Sequence, residues 1–330
     1  MQKILVVGYG SIGKRHIKNL LNFSNISIIV YTKQKIKSQK RIKFFSTIDE
    51  CLKEKPKIGF IANESSLHVK TAIKLAKSNM HLFIEKPLSN SLLGINELEK
   101  IVKNKKLITM IGCNFRFFPP ILKIKKLIEQ NKIGKIISIQ IENGSYLPDW
   151  HPYEDYRNSY AAKKILGGGV TLTQIHEIDY LKWFFGNPLK VCSLSGKFSN
   201  LDLDVDDYCA SILKFENNII CEIHLDFFQR PQYKRCKIRG LKGIIEWDSE
   251  SNNIRIFSNT QNKWKNIHIE KNYNLKEKEK VNLMYENELK HFLNCVKNKK
   301  NTINSLNDST DTLKIALAMK KNTSMKRISY

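Results

Sequence analysis

Apolar positions in the first third of the chain come in short unbroken runs, each followed by a stretch with helical spacing. Ile4-Leu5-Val6-Val7 is apolar throughout, as a strand covered on both faces has to be. Lys14 to Leu21 then reads as a helix. The rhythm continues with strands at Ile26–Tyr31 and Lys43–Phe45 and a helix at Thr47–Lys53 capped by Thr47 or Ser46. A strand at Ile58–Ala62 and a helix from Ser66 to Ser78 follow. His81–Ile84, Leu92–Lys103 and Ile108–Cys113 add a strand, a helix and a strand. Such alternation predicts a parallel, doubly wound α/β sheet. It stops near Phe118, where Pro119-Pro120 interrupts the pattern, so a first domain is placed at residues 1–118.

The pattern over residues 119–330 is different, and predicts a second α+β domain. A helix at Ile121–Gln130 leads to strand-like Lys135–Tyr146, a polar aromatic loop and a helix at Gly169–Phe185. Seven strand-like runs then follow without helices between them: Lys190–Phe198, Asp207–Phe215, Ile219–Phe228, Tyr233–Arg239, Gly243–Trp247, Ile254–Phe257 and Trp264–Ile269. Consecutive strands of this kind predict a large, open, mostly antiparallel sheet. Asn217-Asn218 and Leu241-Lys242-Gly243 read as its hairpin turns. Lysine-rich Lys271–Lys280 reads as a solvated loop or helix start, and helices at Val281–Lys297 and Ser309–Asn322 complete the pattern.

Composition removes several classes of function. At 330 residues and 42% hydrophobic content the chain is long and apolar enough for a packed core. No apolar run approaches the ~18 residues of a membrane span, and the first residues already form a strand rather than a signal peptide. A cytoplasmic location is expected. The seven cysteines are far apart and never form a C-x-x-C pair, so neither a disulfide framework nor a metal site is expected. The net charge of +25 invites a nucleic-acid reading. The lysines are spread along the whole chain rather than gathered in one arm, which favours a generally solvated surface with some attraction for anionic ligands.

Chemistry enters at the first turn. Gly8-Tyr9-Gly10-Ser11-Ile12-Gly13 stands between a buried strand and a helix, the setting of a dinucleotide-binding fingerprint. Gly8 suits the tight turn, Gly10 admits a pyrophosphate to the backbone, and Gly13 allows close helix–strand packing. The N–H groups of Ser11 and Ile12 at the helix start add donors for phosphate. The acid that usually follows the next strand and binds the ribose 2′-hydroxyl of NAD is absent; Tyr31-Thr32-Lys33 stands there instead. A carboxylate would repel a 2′-phosphate, whereas Thr32 and Lys33 suit one, so NADP is favoured over NAD.

Three further motifs complete a family pattern. They are Glu85-Lys86-Pro87 after the strand HLFI, Asn114-Phe115-Arg116 after Cys113, and Gly167-Gly168-Gly169 ahead of His176-Glu177-Ile178-Asp179. With the glycine fingerprint and Arg15-His16, they resemble the glucose–fructose oxidoreductase / inositol dehydrogenase / MocA (Gfo/Idh/MocA) family over nearly the whole chain. The resemblance implies a Rossmann domain that binds NAD or NADP, a second domain whose sheet lies behind the active site, and a homodimer or homotetramer formed through that sheet. It implies hydride transfer at a secondary alcohol or ketone of a sugar or polyol. It maps the catalytic lysine to Lys86 and the catalytic histidine to His176, with Asp179 to orient the imidazole or contact substrate. It adds cofactor contacts at Ala62, Asn63, His68, Glu85 and Asn114.

Lysine suits its role because its ammonium hydrogen-bonds the reacting oxygen, and histidine because it exchanges protons near working pH. There are departures. Leu172 occupies the position where many members carry an aspartate, and the glycine-to-histidine segment is one residue shorter. Asp179, Asp155 or Glu154 are candidates to compensate. IANESSLH replaces the commoner ATPNxxH, which makes Asn63 and Glu64 departures as well.

The loop from Gly144 to Arg157 offers Trp150, Tyr153 and Tyr156 for stacking on a sugar, or equally for packing on the sheet. Arg157, Arg116 and Thr173 are further candidate substrate contacts. This loop and HEIDYLKWFFG resemble a subgroup associated with bacterial surface-polysaccharide biosynthesis, implying a sugar or nucleotide-sugar substrate. Two other classes of function fit the motifs: a cofactor-retaining epimerase or lyase, and a non-catalytic dinucleotide sensor suggested by Leu172.

Overall fold

The computed structural model describes residues 1–251, 253–267, 269 and 277–323. They fall into two compact units, Met1–Asn114 with the described part of Lys276–Leu313, and Phe115–Leu275 with the described part of Lys314–Tyr330.

In the first unit, β1 (Gln2–Val7), β2 (Ile26–Tyr31), β3 (Ile42–Phe45), β4 (Ile58–Ile61), β5 (His81–Glu85) and β6 (Thr109–Gly112) form one parallel sheet in the order β3-β2-β1-β4-β5-β6. Their apolar runs are buried because helices α1 (Ser11–Leu21), α2 (Ile48–Lys53), α3 (His68–Lys77) and α4 (Ile95–Asn104) connect them over the faces. Thr47 caps α2 in a reciprocal box with Glu50, as its position suggests. α4 starts at Ile95 rather than Leu92 because Gly94, at φ +78°, turns the chain there. The strand order reverses between β1 and β4, so a crevice opens at their carboxyl ends, where open α/β sheets take ligands.

α8 (Glu277–Asn298) and the segment after it complete this sheet rather than the second unit's. Phe292 packs edge-on against Phe60 and Phe83. Thr302 and Asn304 then pair with the free edge of β6: Thr302 Oγ1 donates to the Thr109 carbonyl at 2.6 Å, and the Ile111 N–H to the Asn304 carbonyl at 3.0 Å. A parallel sheet whose last strand is short needs such a cover. α9 (Leu306–Met319) runs across the division between the units.

The second unit holds α5 (Pro119–Glu129), β7 (Ile136–Gly144), α6 (Val170–Thr173), α7 (His176–Phe185) and the strands β8 (Lys190–Gly196), β9 (Tyr208–Lys214), β10 (Ile220–Asp226), β11 (Tyr233–Gly240), β12 (Gly243–Asp248), β13 (Ile254–Ser258) and β14 (Lys263–Ile267). Its sheet has the order β14-β13-β12-β11-β7-β10-β9-β8 and is antiparallel except where β7 meets β10. One face buries Ile139, Ile141, Cys221, Ile223, Cys236 and Ile238, while Gln140, Glu142, Glu222, His224, Arg235 and Lys237 point the other way. Asn217 and Asn218, both at positive φ, make the β9–β10 hairpin turn.

The helix expected over Gly169–Phe185 is broken in two at Gln174-Ile175. The Gln174 amide donates to the Asp226 carbonyl at 3.1 Å and to Ser145 Oγ at 3.4 Å, so this residue is pinned to the sheet ends and leaves helical geometry. Residues 271–276 of the lysine-rich stretch lie outside the described residues, and 277–280 open α8. Cys51, Cys192, Cys209, Cys221, Cys236 and Cys295 form no disulfide with one another. Among the described residues no helix is long and apolar enough to cross a membrane.

Candidate active site

In the first unit the candidate residues lie at the carboxyl ends of β1, β4, β5 and β6. Gly8 has φ +104°, and a Cβ there would sit 2.5 Å from the Ala62 carbonyl oxygen. A Cβ on Gly13 would sit 2.3 Å from the Gly8 carbonyl oxygen, so α1 and the turn pack backbone to backbone. Gly10 is different: nothing lies within 4 Å of the position its Cβ would take. α1 has no side-chain cap and no acid in its first turn, so the N–H groups from Ser11 to Gly13 are left for an anion. Two buried amide oxygens near the same strand ends, Asn63 Oδ1 and Asn114 Oδ1, have no hydrogen-bond partner among the described residues. An open phosphate cradle with idle polar atoms beside it fits a dinucleotide.

Glu85 ends β5 and is 6% exposed; Lys86 follows, half-buried, joined to Pro87 by a cis peptide bond. His68 is buried, with Nδ1 2.9 Å from the Pro87 carbonyl oxygen and Nε2 2.9 Å from that of Asn63. Burial pushes its pKa down, so the neutral ring donates to one carbonyl at a time. Both nitrogens face backbone carbonyls, so the ring braces the turns after β4 and β5. At the end of β2, Thr32 is buried and its Oγ1 accepts the Gln34 N–H at 3.2 Å, while Lys33 is exposed.

In the second unit His176 begins α7, half-buried, its ring stacked on Phe115 at 4.7 Å between centroids and 13° between planes. Arg116 and Asp179 form a bidentate pair, with Nε to Oδ2 and Nη2 to Oδ1 both 2.8 Å, and are 2% and 0% exposed. The pair gives each of the two residues a buried partner within the second unit. Leu172 is buried, and Thr173 is 3% exposed. Gly169, the last of the three glycines before α6, makes room for an acid that the motifs did not flag. Asp206 accepts the Thr171 N–H at 3.0 Å and its hydroxyl at 2.7 Å and pairs with Lys320 at 2.6 Å, and a Cβ on Gly169 would strike it at 2.2 Å. Its sequence signal is the local pair Asp206-Asp207, which nothing in the sequence links to the glycines.

Two family profiles match nearly end to end: "Oxidoreductase family, NAD-binding Rossmann fold" over residues 2–113 and "Oxidoreductase family, C-terminal alpha/beta domain" over residues 125–329. The chain belongs to the Gfo/Idh/MocA oxidoreductase family. Myo-inositol 2-dehydrogenase of Thermotoga maritima is 24% identical over 98% of this chain and 97% of its own length. Levoglucosan dehydrogenase of Pseudarthrobacter phenanthrenivorans is 26% identical over 58% of this chain, which spans only 55% of that relative's length. A solved levoglucosan dehydrogenase in complex with NADH superposes with a TM-score of 0.82 at 17% identity, covering 96% of this chain and 95% of the other.

In this Gfo/Idh/MocA member the aromatic loop of the second unit engages several of its own polar groups. Trp150 donates Nε1–H to Ser145 Oγ at 3.1 Å and meets Phe227 edge-on, so one side of it packs on the sheet end. The Tyr156 hydroxyl accepts the Asp202 N–H at 3.0 Å. Arg157 is paired with Asp155 at 2.7 Å, and that guanidinium holds the Asp155 carboxyl below its usual range. Asp155 is thereby engaged and is a poor substitute for the acid absent at Leu172. Tyr153 remains 76% exposed beside His151.

Proposed function

We propose that this chain transfers hydride at a secondary alcohol or ketone of a sugar or nucleotide sugar, with NADP as the preferred dinucleotide. The observation that carries the reading is the open cradle of Gly10 and α1 on the same sheet edge as the Glu85-Lys86-Pro87 turn. When bound, the nicotinamide supplies the hydride acceptor or donor. The residues of the chain do the rest. Lys86 hydrogen-bonds the reacting oxygen and steadies negative charge on it. His176 takes the hydroxyl proton in oxidation and returns it in reduction, its ring plane set by Phe115. Thr32 and Lys33 take the 2′-phosphate. A homodimer or homotetramer through the second unit's sheet, and a place in bacterial surface-glycan biosynthesis, belong to the same proposal; the resemblances of sequence support them.

The test begins with fluorescence titrations of NADH and NADPH after any co-purified nucleotide is removed, followed by a screen of polyols, anhydrosugars and nucleotide sugars. Lys86→Ala is expected to lower kcat about a thousandfold with little change in dinucleotide affinity. Unimpaired turnover in that variant would refute the mechanism. Leu172 favours one second reading, a dinucleotide-binding protein without turnover, which predicts NADPH binding and no reaction with any member of the screen.

A further inference from the structure

The Glu85 carboxyl lies in a slot closed by backbone: a Cβ added to Gly112 on the neighbouring strand would come within 3.2 Å of it. One of its oxygens, Oε1, is 2.5 Å from His16 Nε2, and the other accepts the Lys86 backbone N–H at 3.3 Å. His16 belongs to α1, the helix of the phosphate cradle, and is 1% exposed. Its ring is held by Phe83 at 5.1 Å, Phe60 at 5.4 Å and Tyr285 at 6.0 Å. Its second nitrogen, Nδ1, is buried and has no hydrogen-bond partner among the described residues. An imidazole in an aromatic pocket with one idle nitrogen is a poor filler, because burying that nitrogen costs free energy an apolar ring would not. What the imidazole adds is a single N–H aimed at a single carboxylate.

We propose that His16 is a positioning residue for Lys86. Its Nε2–H fixes the Glu85 carboxylate, whose other oxygen holds the Lys86 N–H and so sets where the lysine side chain leaves the backbone. The glycine-motif helix and the Glu85-Lys86-Pro87 turn are thereby registered to each other through one buried hydrogen bond. The inference rests on the reading of Lys86 as a residue of the dinucleotide site.

The experiment measures how strongly saturating NADH shields Lys86 from trace acetylation, quantified by mass spectrometry, alongside NADH affinity by fluorescence. The variants are His16→Leu, His16→Asn, whose amide is too short to reach Glu85, and His16→Gln, whose amide nitrogen falls near the position of Nε2. His16→Leu and His16→Asn are expected to lose about tenfold of the shielding while still binding NADH, the scale on which removing an outer-shell partner acts, and His16→Gln to keep it. Shielding unchanged in the first two, or not kept by the third, overturns the role of His16 while leaving Lys86 at the cofactor. Loss of NADH binding itself in both also overturns it, by making His16 part of the cradle. Absence of shielding in the wild type refutes the placement of Lys86 instead. The asparagine variant keeps the test open if leucine prevents folding.

Discussion

Arg116 and Asp179 show what a buried ion pair does to a motif. Each was legible as a chemistry-bearing residue, and sequence spacing put Asp179 one turn from His176. The structure spends them on each other, because a guanidinium and a carboxylate removed from water must satisfy one another before either serves a ligand. The same logic claims His68 and Trp150, whose polar atoms meet backbone or a neighbouring hydroxyl. Partners contributed from elsewhere in the chain cannot be read from a local string, which is why residue types were easier to foresee than their contacts. Asp179→Asn leaves the Arg116 charge buried with its partner neutralised, and is expected to lower unfolding free energy by about 3–5 kcal/mol in urea titration. The double variant Arg116→Met, Asp179→Leu should regain most of that loss. Equal losses in single and double variants would mean the pair is not what holds α7.

Elements followed their apolar periods closely, and failed where side chains reached across the fold. The parallel strands of the first sheet and the hairpins of the second were legible from runs and turns. The break at Gln174 was not, because Ser145 and Asp226 lie at strand ends far away in sequence. A similar cross-strand device stands on the other face of the second sheet. Glu246 on β12 is 4% exposed and accepts from Arg235 on β11 and, at 2.8 Å, from Arg255 on β13. Burial alone would raise the Glu246 pKa; the hydrogen bonds from the two arginines outweigh it and hold the carboxyl below its usual 4.5. A carboxyl with a depressed folded pKa stabilises the fold fully above the unfolded value, and that contribution fades as pH falls through the folded one. Glu246→Gln is therefore expected to cost about 2 kcal/mol at pH 7 and progressively less below pH 4.5. Thermal melts across that range read the difference directly. A cost that does not shrink in acid would place the stabilisation in packing instead.

At the scale of the whole molecule, charge says more about ligands than about fold. The excess of +25 has no single stripe, so its field is diffuse and is screened beyond roughly 10 Å at 0.1 M salt. Such a field favours the more highly charged NADPH only weakly and marks no place for its 2′-phosphate. Choice requires a local contact, and Lys33, exposed after a β2 end that lacks an acid, is the group placed to make it. The two contributions separate by salt and by mutation. Raising salt from about 50 mM to about 500 mM should weaken both dinucleotides, and NADPH about threefold more, since only it adds a doubly charged group near a lysine. Lys33→Glu changes the net charge too little to alter the diffuse field, yet should lower NADPH affinity about tenfold while leaving NADH within about twofold. Parallel weakening of both dinucleotides in that variant would mean that Lys33 acts only through the general field. The basis of any preference would then have to lie with Thr32, whose hydroxyl oxygen already serves the Gln34 N–H.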